Sequence, residues 1–590
     1  MREIALLSRV ASPPSRLPSR VGPRRRVQKS SAFPPQPGSK SSIFLYRGVL
    51  QLPPRYWLFL LSFVITAFGQ PAWVAPLGYF AAALGFALFW KGLLEVGEKK
   101  RRFWIATFWF TLVEGVQLSW LATPDYMGWL IVPFTLILSF GIGLQFGILS
   151  HFVTFPLSWG KLLAIAGGWV ICEWLRLFFL CGYTWNPSGL ALASSPYSLQ
   201  LASIWGIFGL SFWVILVNLA FLKAWCERSF RQTAYWAGLA LFPYLFGWVQ
   251  IAWVESHTPI QKTLDVALIQ TNLSPEEKEF DPQFPHSYIS PIRQWANILS
   301  ALEGLAGKKR ADLIIFPEAA LPLGAHTASY DLETVKYFFD ESFFPPFRRP
   351  YAIFHDSTWK VSNAFLAQSL ANRFGADVII GLDDVDFEGR YNAAFHFAPS
   401  KLTYQRYEKQ ILAPIAEYIP LKNWSRFARF LAKQYGIYGS FDPGKEGKIF
   451  NSHVPIGISI CLEETFSNLI RALRLKGAEV LVSVSNDAYF PNTKLSLQHF
   501  HHGRIRAVEN GVPLLRSTNS GVTGGVDCFG RPLQILDAKK NTSALFFSMP
   551  IRSYSTLYTF WGDLAILVQS TLLIASFALF SLKLDLKKLP

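Results

Sequence analysis

Long apolar stretches fill the chain from Tyr56 to Val254, and short apolar runs separated by polar stretches fill it from about residue 258 to 552. A helix needs about 20 residues to cross about 30 Å of hydrocarbon. Seven stretches predict spans, near 56–73, 75–94, 103–122, 128–150, 161–181, 200–222 and 234–254, and an eighth lies near 557–582. In the polar block, L-D-V-A-L-I-Q, D-L-I-I-F, A-D-V-I-I-G-L, P-I-G-I-S-I-C and E-V-L-V-S-V-S-N predict strands buried on both faces, because apolar residues run on consecutive positions. Between them F-S-N-L-I-R-A-L-R-L-K-G has helical spacing and ends at glycine. The expected architecture is an α-helical membrane bundle of about eight spans joined to an α/β domain with a layered sheet core.

Composition sharpens this picture. Charged residues make up only 16% of the chain, against about a quarter in a soluble domain. The formal net charge is +17, and in a membrane protein such an excess marks cytoplasmic faces rather than a nucleic-acid partner. Loops after the even-numbered spans hold Lys99, Lys100, Arg101 and Arg102, then Lys161, then Lys223, Arg228 and Arg231, and the end of the chain adds Lys583, Lys587 and Lys588. The short loops after spans one, three and five hold no Lys or Arg. The positive-inside rule then puts both termini in the cytoplasm and residues 258–552 on the outer face. Residues 1–55 carry eleven Lys and Arg against the single acid Glu3 and are rich in Pro and Ser, which predicts a disordered basic tail. The expected division is this tail, a seven-span domain over 56–257, an outward α/β domain over 258–552, and a last span with its cytoplasmic tail over 553–590.

Three ionisable residues fall beside predicted strand ends, where α/β sheets present groups to a shared crevice. Glu318 follows D-L-I-I-F-P, Lys409 lies in Y-Q-R-Y-E-K-Q-I-L-A-P, and Cys461 closes P-I-G-I-S-I. Cys461 alone reads three ways: a buried core thiol, a disulfide partner of Cys528 in an exported domain, or a nucleophile. The five cysteines are widely spaced and odd in number, so they form no disulfide framework. A glutamate, a lysine and a cysteine do make chemical sense together. The ammonium favours the thiolate, the carboxylate takes the thiol proton and returns it to a leaving group, and the ammonium with the Leu462 N–H holds an oxyanion. The reaction class is acyl transfer through a thioester.

F-P-E-A-A-L-P, Y-E-K-Q-I-L-A-P-I-A-E-Y-I-P, I-C-L-E and S-N-D-A-Y-F follow in that order. Their combination resembles the nitrilase, or carbon–nitrogen hydrolase, superfamily, with its Glu, Lys and Cys triad. With the spans, L-L-R-S-T-N-S-G-V-T and G-Y-T-W-N-P, the chain resembles the apolipoprotein N-acyltransferase family over nearly everything after residue 55. The resemblance implies a nitrilase-like αββα sandwich on the periplasmic side of a bacterial inner membrane. It implies Glu318 as general base, Lys409 as oxyanion stabiliser and Cys461 as nucleophile, with Glu417 anchoring Lys409 and Glu463 orienting the turn that carries Cys461. The expected partners are a phospholipid acyl donor and a diacylated apolipoprotein acceptor, with the chain a monomer that needs no cofactor or metal. Leu462 after the nucleophile and Phe280 in the loop after the first strand depart from the aromatic and the tryptophan expected there. Two rival readings keep the same residues: a membrane-tethered amidase or nitrilase with water as acceptor, and a catalytically silent lipid- or lipoprotein-binding protein.

Other features have plainer expectations. Trp424, Phe427 and Leu431 share one helical face and Lys422, Arg426, Arg429 and Lys433 another, a pattern that suits a helix lying in the membrane interface. Y-F-F-D-E-S-F-F-P-P-F reads as a lipid-facing arm or an internal packing loop. Glu173 and Arg176 are spaced to pair on one helix face. Glu114, in the middle of a span, reads first as a contact between helices and second as a head-group contact. His499, His501 and His502 lack a carboxylate or cysteine that would complete a recognisable metal set.

Overall fold

The computed structural model describes residues 53–586 apart from 180, 307–309, 421–425, 427, 431–432, 434–439 and 537–540. The basic tail over 1–52, and Lys422, Trp424, Phe427 and Leu431 of the proposed interfacial helix, therefore lie outside the described residues. Helices α1 (Pro54–Phe68), α2 (Pro71–Leu94), α3 (Lys99–Gln117), α4 (Ile131–His151), α5 (Trp159–Leu175), α6 (Ala202–Glu227) and α7 (Phe230–His257) cover the seven apolar stretches. Among the described residues, α2, α4, α6, α7 and the last helix are the five long and apolar enough to cross a membrane. α1 and α5 are shorter, at 15 and 17 residues, and α3 opens on four cations. The predicted boundary between the first two spans falls earlier than expected, at Gly69–Gln70, because Pro71 starts a new helix.

Side chains complete the backbone where these helices depart from regular geometry. A wide π-turn at Ala81–Gly85 interrupts α2. Asn218 of α6 donates to the Ala81 and Ala82 carbonyls at 3.1 and 2.9 Å and accepts from the Ala87 N–H at 3.1 Å, as a low-dielectric interior demands of open backbone groups. α6 itself breaks at Gly206, where φ is +63° and an added Cβ would lie 2.4 Å from the Tyr558 ring. Only glycine meets both conditions without strain.

The α/β domain contains two six-stranded mixed sheets. The first uses β1 (Lys262–Gln270), β2 (Leu313–Ile315), β3 (Asp377–Val385), β4 (Arg390–Phe397) and β5 (Tyr404–Glu408); the second uses β6 (Ile449–Asn451), β7 (Pro455–Ile460), β8 (Val480–Ser485), β9 (Leu514–Thr518), β10 (Gly524–Val526) and β11 (Pro532–Ile535). β12 (Ser543–Ile551) returns to the edge of the first, pairing antiparallel with β1. Parallel pairs β1–β2–β3 and β7–β8–β9 form the centres. Leu264, Val266 and Leu268 enter a core shared with Ile456, Ile458, Ile460, Val480, Val482 and Val484 of the second sheet. Ala267 and Ile269, on the opposite face of β1, enter a second core with helices α8 (Pro291–Ala306) and α9 (Asn363–Phe374). Helices α10 (Ser467–Leu475) and α11 (Leu495–Asn510) supply Ile470, Leu473, Phe500 and Ala507 to a third core with Leu481 and Leu514.

α11 also joins the domain to the membrane bundle. Its Leu495, Ile505 and Val508 belong to the bundle's core, while Phe500 and Ala507 face the sheet. Its polar residues are buried and bonded across the joint. Gln498 donates to Asn186 Oδ1 at 2.8 Å, Arg504 to the Ala193 carbonyl at 2.9 Å, and Glu509 accepts from the Ile207 N–H at 2.9 Å, beside the break in α6. The eighth apolar stretch is two helices, Leu557–Trp561 and α12 (Leu564–Leu586), separated at Gly562, where φ is +57°.

Candidate active site

Glu318, Lys409 and Cys461 follow β2, β5 and β7 respectively, so the first sheet supplies two of the three and the second sheet the third. Glu318 reaches its place because Gly381 of β3 leaves room for its backbone. A Cβ there would lie 2.7 Å from both Glu318 Cα and the Pro317 carbonyl. The same loop is held by Gly381, which accepts from the Ala320 N–H at 2.8 Å, and by the buried Lys278, which donates to the Ala319 carbonyl.

Lys409 is buried between two carboxylates, with Nζ 3.0 Å from Glu318 Oε1 and 2.9 Å from Glu417 Oε1. Asn392 Nδ2 donates to the same two oxygens at 2.7 Å each. Burial alone would lower Lys409, but Glu318 and then Glu417 outweigh it and hold the ammonium charged well above its ordinary value. The second oxygen of Glu417 accepts from the Ala413 N–H at 2.7 Å, which fixes the loop as well as the lysine.

Glu463 ties the Cys461 turn to the Lys409 loop. It is fully buried and accepts from the Ile460 N–H at 2.8 Å, the Gln410 N–H at 2.6 Å, the Ile411 N–H at 3.2 Å and the Tyr407 hydroxyl at 2.8 Å. Burial nevertheless pushes its carboxyl up to about 7. Cys461 itself has φ of +53° at the head of a 3₁₀ turn, Cys461–Thr465. Burial, with the Glu318 carboxylate adding to it, pushes the thiol well above its ordinary value against the pull of Lys409. A thiol held this way rests neutral and would have to lose its proton to act as a nucleophile. All five cysteines are free thiols, so the Cys461–Cys528 disulfide is not formed; Cys528 packs instead with Ile251, Val254 and Phe529.

Several neighbours escaped the sequence reading. Asn392 sits inside an apolar strand, R-Y-N-A-A-F-H-F, where one buried amide was the signal. Tyr407 is two residues before Lys409 on β5 and so shares its face. His499 was weighed only as a metal ligand, yet its Nε2 lies 3.1 Å from the Cys461 carbonyl and its Nδ1 3.1 Å from Asp487. Its neighbours on α11 go elsewhere: His502 Nε2 to the Trp185 carbonyl at 3.0 Å, and His501 Nδ1 to Arg504 at 2.9 Å.

Other expectations resolve differently. Glu173 and Arg176 find separate partners: Glu173 accepts from Trp169 Nε1 and the Ser188 N–H at 2.8 Å each, and Arg176 donates to Gln145 at 2.8 Å. The return of the chain after α5 brings Ser188 to Glu173. Glu114 is buried and accepts from Asn186, in the connection between α5 and α6, at 2.9 Å. The F-F-P-P-F segment packs inward, with Phe344 on Phe365 and Phe347 on Trp359 at ring distances of 5.0 and 5.3 Å, though Tyr337 stays exposed. Phe280 is exposed, with Tyr288 edge-on at 5.7 Å.

Two mixed sheets that bring a glutamate, a lysine and a cysteine to adjoining strand ends, joined to apolar helices of membrane-crossing length, define a carbon–nitrogen hydrolase domain carried by a multi-pass membrane protein. The carbon-nitrogen hydrolase family matches residues 266–539, and the apolipoprotein N-acyltransferase N-terminal domain matches residues 65–220. The chain is 30% identical over 531 residues to an apolipoprotein N-acyltransferase of Chlamydia pneumoniae, covering 86% of this chain and 94% of the relative. The Chlamydia muridarum protein of the same name is 29% identical over 532 residues, covering 86% and 93%, and that of Nitrosomonas europaea is 28% identical over 443 residues, covering 74% and 78%. The chain belongs to the apolipoprotein N-acyltransferase family and is an acyltransferase.

Proposed function

We propose that the chain moves an acyl group from a membrane phospholipid to the free α-amino group of the S-diacylglyceryl cysteine of apolipoproteins, through a thioester on Cys461. In the first half-reaction Glu318 takes the thiol proton as sulfur adds to the ester carbonyl. The C–O bond then breaks, and Glu318 returns the proton to the departing lysophospholipid oxygen. In the second, the amine adds to the thioester and loses a proton to Glu318, the C–S bond breaks, and the thiolate recovers that proton. Lys409 and the Leu462 N–H hold the oxyanion of both tetrahedral intermediates. Glu417 and Glu463 support the lysine and the nucleophile turn.

The observation that carries this reading is the buried Lys409 ammonium, shared at 3.0 and 2.9 Å between Glu318 and Glu417, beside a thiol that burial keeps neutral. A base at hand and a fixed cation are what such a thiol needs to become a nucleophile. Both substrates are lipid-anchored, and a site joined to membrane helices brings them together without extracting either. The finer arrangement is a four-layer αββα domain on the periplasmic side of the inner membrane, eight spans, both termini cytoplasmic, and a monomer. Supporting the orientation, Arg102, Lys161 and Lys223 donate to the Val153, Thr154 and Leu157 carbonyls at 2.6, 2.7 and 2.7 Å, so cations from three helices, α3, α5 and α6, gather on the one loop between α4 and α5.

The test is to incubate the purified chain with phospholipid and read acyl adducts by intact-protein mass spectrometry. An adduct mapped to Cys461, lost in Cys461→Ser and discharged by a diacylated lipopeptide with formation of its N-acyl product, is expected. Discharge to free fatty acid alone would favour a hydrolase, and an unmodified Cys461 would favour a binding protein.

A further inference from the structure

Cys461 holds a left-handed backbone, φ +53°, without being glycine. Such a residue costs about 1–3 kcal/mol and persists where its surroundings hold it. What holds this one is visible on its carbonyl. His499 Nε2 lies 3.1 Å from Cys461 O. The Cys461–Leu462 peptide is trans and planar, so its C=O and N–H point in opposite directions. Gripping the carbonyl from behind therefore aims the Leu462 N–H forward, and among the described residues no acceptor takes that N–H.

We propose that His499 is the positioning residue of the oxyanion hole, setting the direction of the Leu462 N–H through its hydrogen bond to the Cys461 carbonyl. The proposal rests on the acyl-transfer reading above, in which that N–H receives the oxyanion. The surroundings of His499 fit the role. Its Nδ1 lies 3.1 Å from Asp487 Oδ1, and its Nε2 also lies 3.3 Å from Glu464 Oε2. Arg516 closes the cluster, with Nε 3.0 Å from Glu464 Oε2 and Nη2 3.7 Å from Asp487 Oδ2, and all four side chains are buried. Burial acts to raise the Asp487 carboxyl, but His499 and Arg516 overcome it and hold the carboxylate charged. A carbonyl only accepts, so the contact to Cys461 requires the N–H on Nε2. The Trp185 ring stands edge-on over His499 at 5.4 Å and leans on Trp120 at 4.9 Å, so residues of the membrane domain wall the imidazole from outside.

Two substitutions separate positioning from mere filling. An Asn amide nitrogen reaches about where Nδ1 lies, and a Gln amide nitrogen about where Nε2 lies. His499→Asn keeps the Asp487 contact and loses the Cys461 carbonyl; His499→Gln does the reverse. In the full chain, saturation with phospholipid separates the acylation rate constant from the half-saturating concentration. Alkylation of Cys461 by iodoacetamide serves as a control, because that displacement passes through no oxyanion. His499→Asn is expected to lose about 10²–10³-fold in acylation rate constant, the range for one oxyanion donor, with half-saturation and alkylation close to wild type. His499→Gln is expected to recover most of that loss. Equal losses in both variants, acylation by His499→Asn at the wild-type rate, or a parallel fall in alkylation would overturn the proposal. A wild-type chain that forms no adduct on Cys461 would instead remove the acyl-transfer reading on which it stands.

Discussion

Asn392 offers a test of how the carboxylates of the site are held. Its amide nitrogen donates to Glu318 and to Glu417 at 2.7 Å each, while its own Oδ1 is buried with no partner among the described residues. Asn392→Leu removes two hydrogen bonds to charged groups, worth about 1.5–3 kcal/mol each, and relieves one unsatisfied buried oxygen, worth about 1–3 kcal/mol. The balance is a loss centred on about 2.5 kcal/mol, concentrated on the base and on the anchor of Lys409. A displacement of Glu318 by about 1 Å costs on the order of 10²-fold in rate, so the acylation of Cys461 should fall about 10–100-fold. Asn392→Asp is the sharper case. It is isosteric, yet it places a third carboxylate against the two that a single ammonium now serves, and it should be worse than Leu. The rate of Cys461 adduct formation, read by intact-protein mass spectrometry alongside thermal inactivation, decides this. If Asp outperforms Leu, shape rather than donated hydrogen bonds holds the site, and the argument fails.

Three further outcomes are expected. Lys409→Met strands Glu318 and Glu417, and breaking a buried pair in this way costs about 3–5 kcal/mol; denaturant unfolding should show the loss and adduct formation should disappear, whereas an active variant would exclude Lys409 from the oxyanion role. Gly381→Ala sets a methyl 2.7 Å from Glu318 Cα and should slow acylation at least about tenfold by moving the base, a result that unchanged kinetics would contradict. Burial pushes the Glu463 carboxyl up from its ordinary value near 4.5 to about 7. Its contribution to stability is thus present below the ordinary value and lost as pH rises through about 7, amounting to about 3 kcal/mol at 1.36 kcal/mol per unit. Unfolding of the wild type between pH 4.5 and 8 should carry this slope and Glu463→Gln should lack it; parallel curves for the two would refute the assignment.

The strands were legible because consecutive apolar residues in a short run have few other homes. β1, β7 and β8 lie where L-D-V-A-L-I-Q, P-I-G-I-S-I and V-L-V-S-V-S predict them. That Glu318, Lys409, Cys461, Glu417 and Glu463 come together could be expected because each stands in a short string that resembles a family motif. What stayed hidden depends on contacts between distant segments. Asn392 matters through residues 74 and 25 positions away, and His499 through a carbonyl 38 positions away, and neither distance leaves a periodic trace. The membrane boundaries failed for a different reason. Hydropathy registers composition, whereas the ends of α1 and α2 are set by Gly69 and Pro71, and the double helix of the eighth stretch by Gly562.

The joint at α11 bears on how such a chain is made. Leu495, Ile505 and Val508 belong to the core of the helical bundle. Asn468 donates to Asp563 Oδ2 at 2.7 Å, and Arg471 donates to the Thr559 and Phe560 carbonyls at 2.8 and 2.7 Å. Those last partners follow the whole α/β domain in sequence. These donors of α10 are therefore answered only once the chain beyond residue 552 has packed against it. Severed at residue 258, the domain would leave Leu495, Ile505 and Val508 uncovered and would strip Gln498 and Arg504 of the acceptors on Asn186 and Ala193. The bundle is thus a second half of the enzyme's interior, and transplanting the triad onto another anchor would require rebuilding that half.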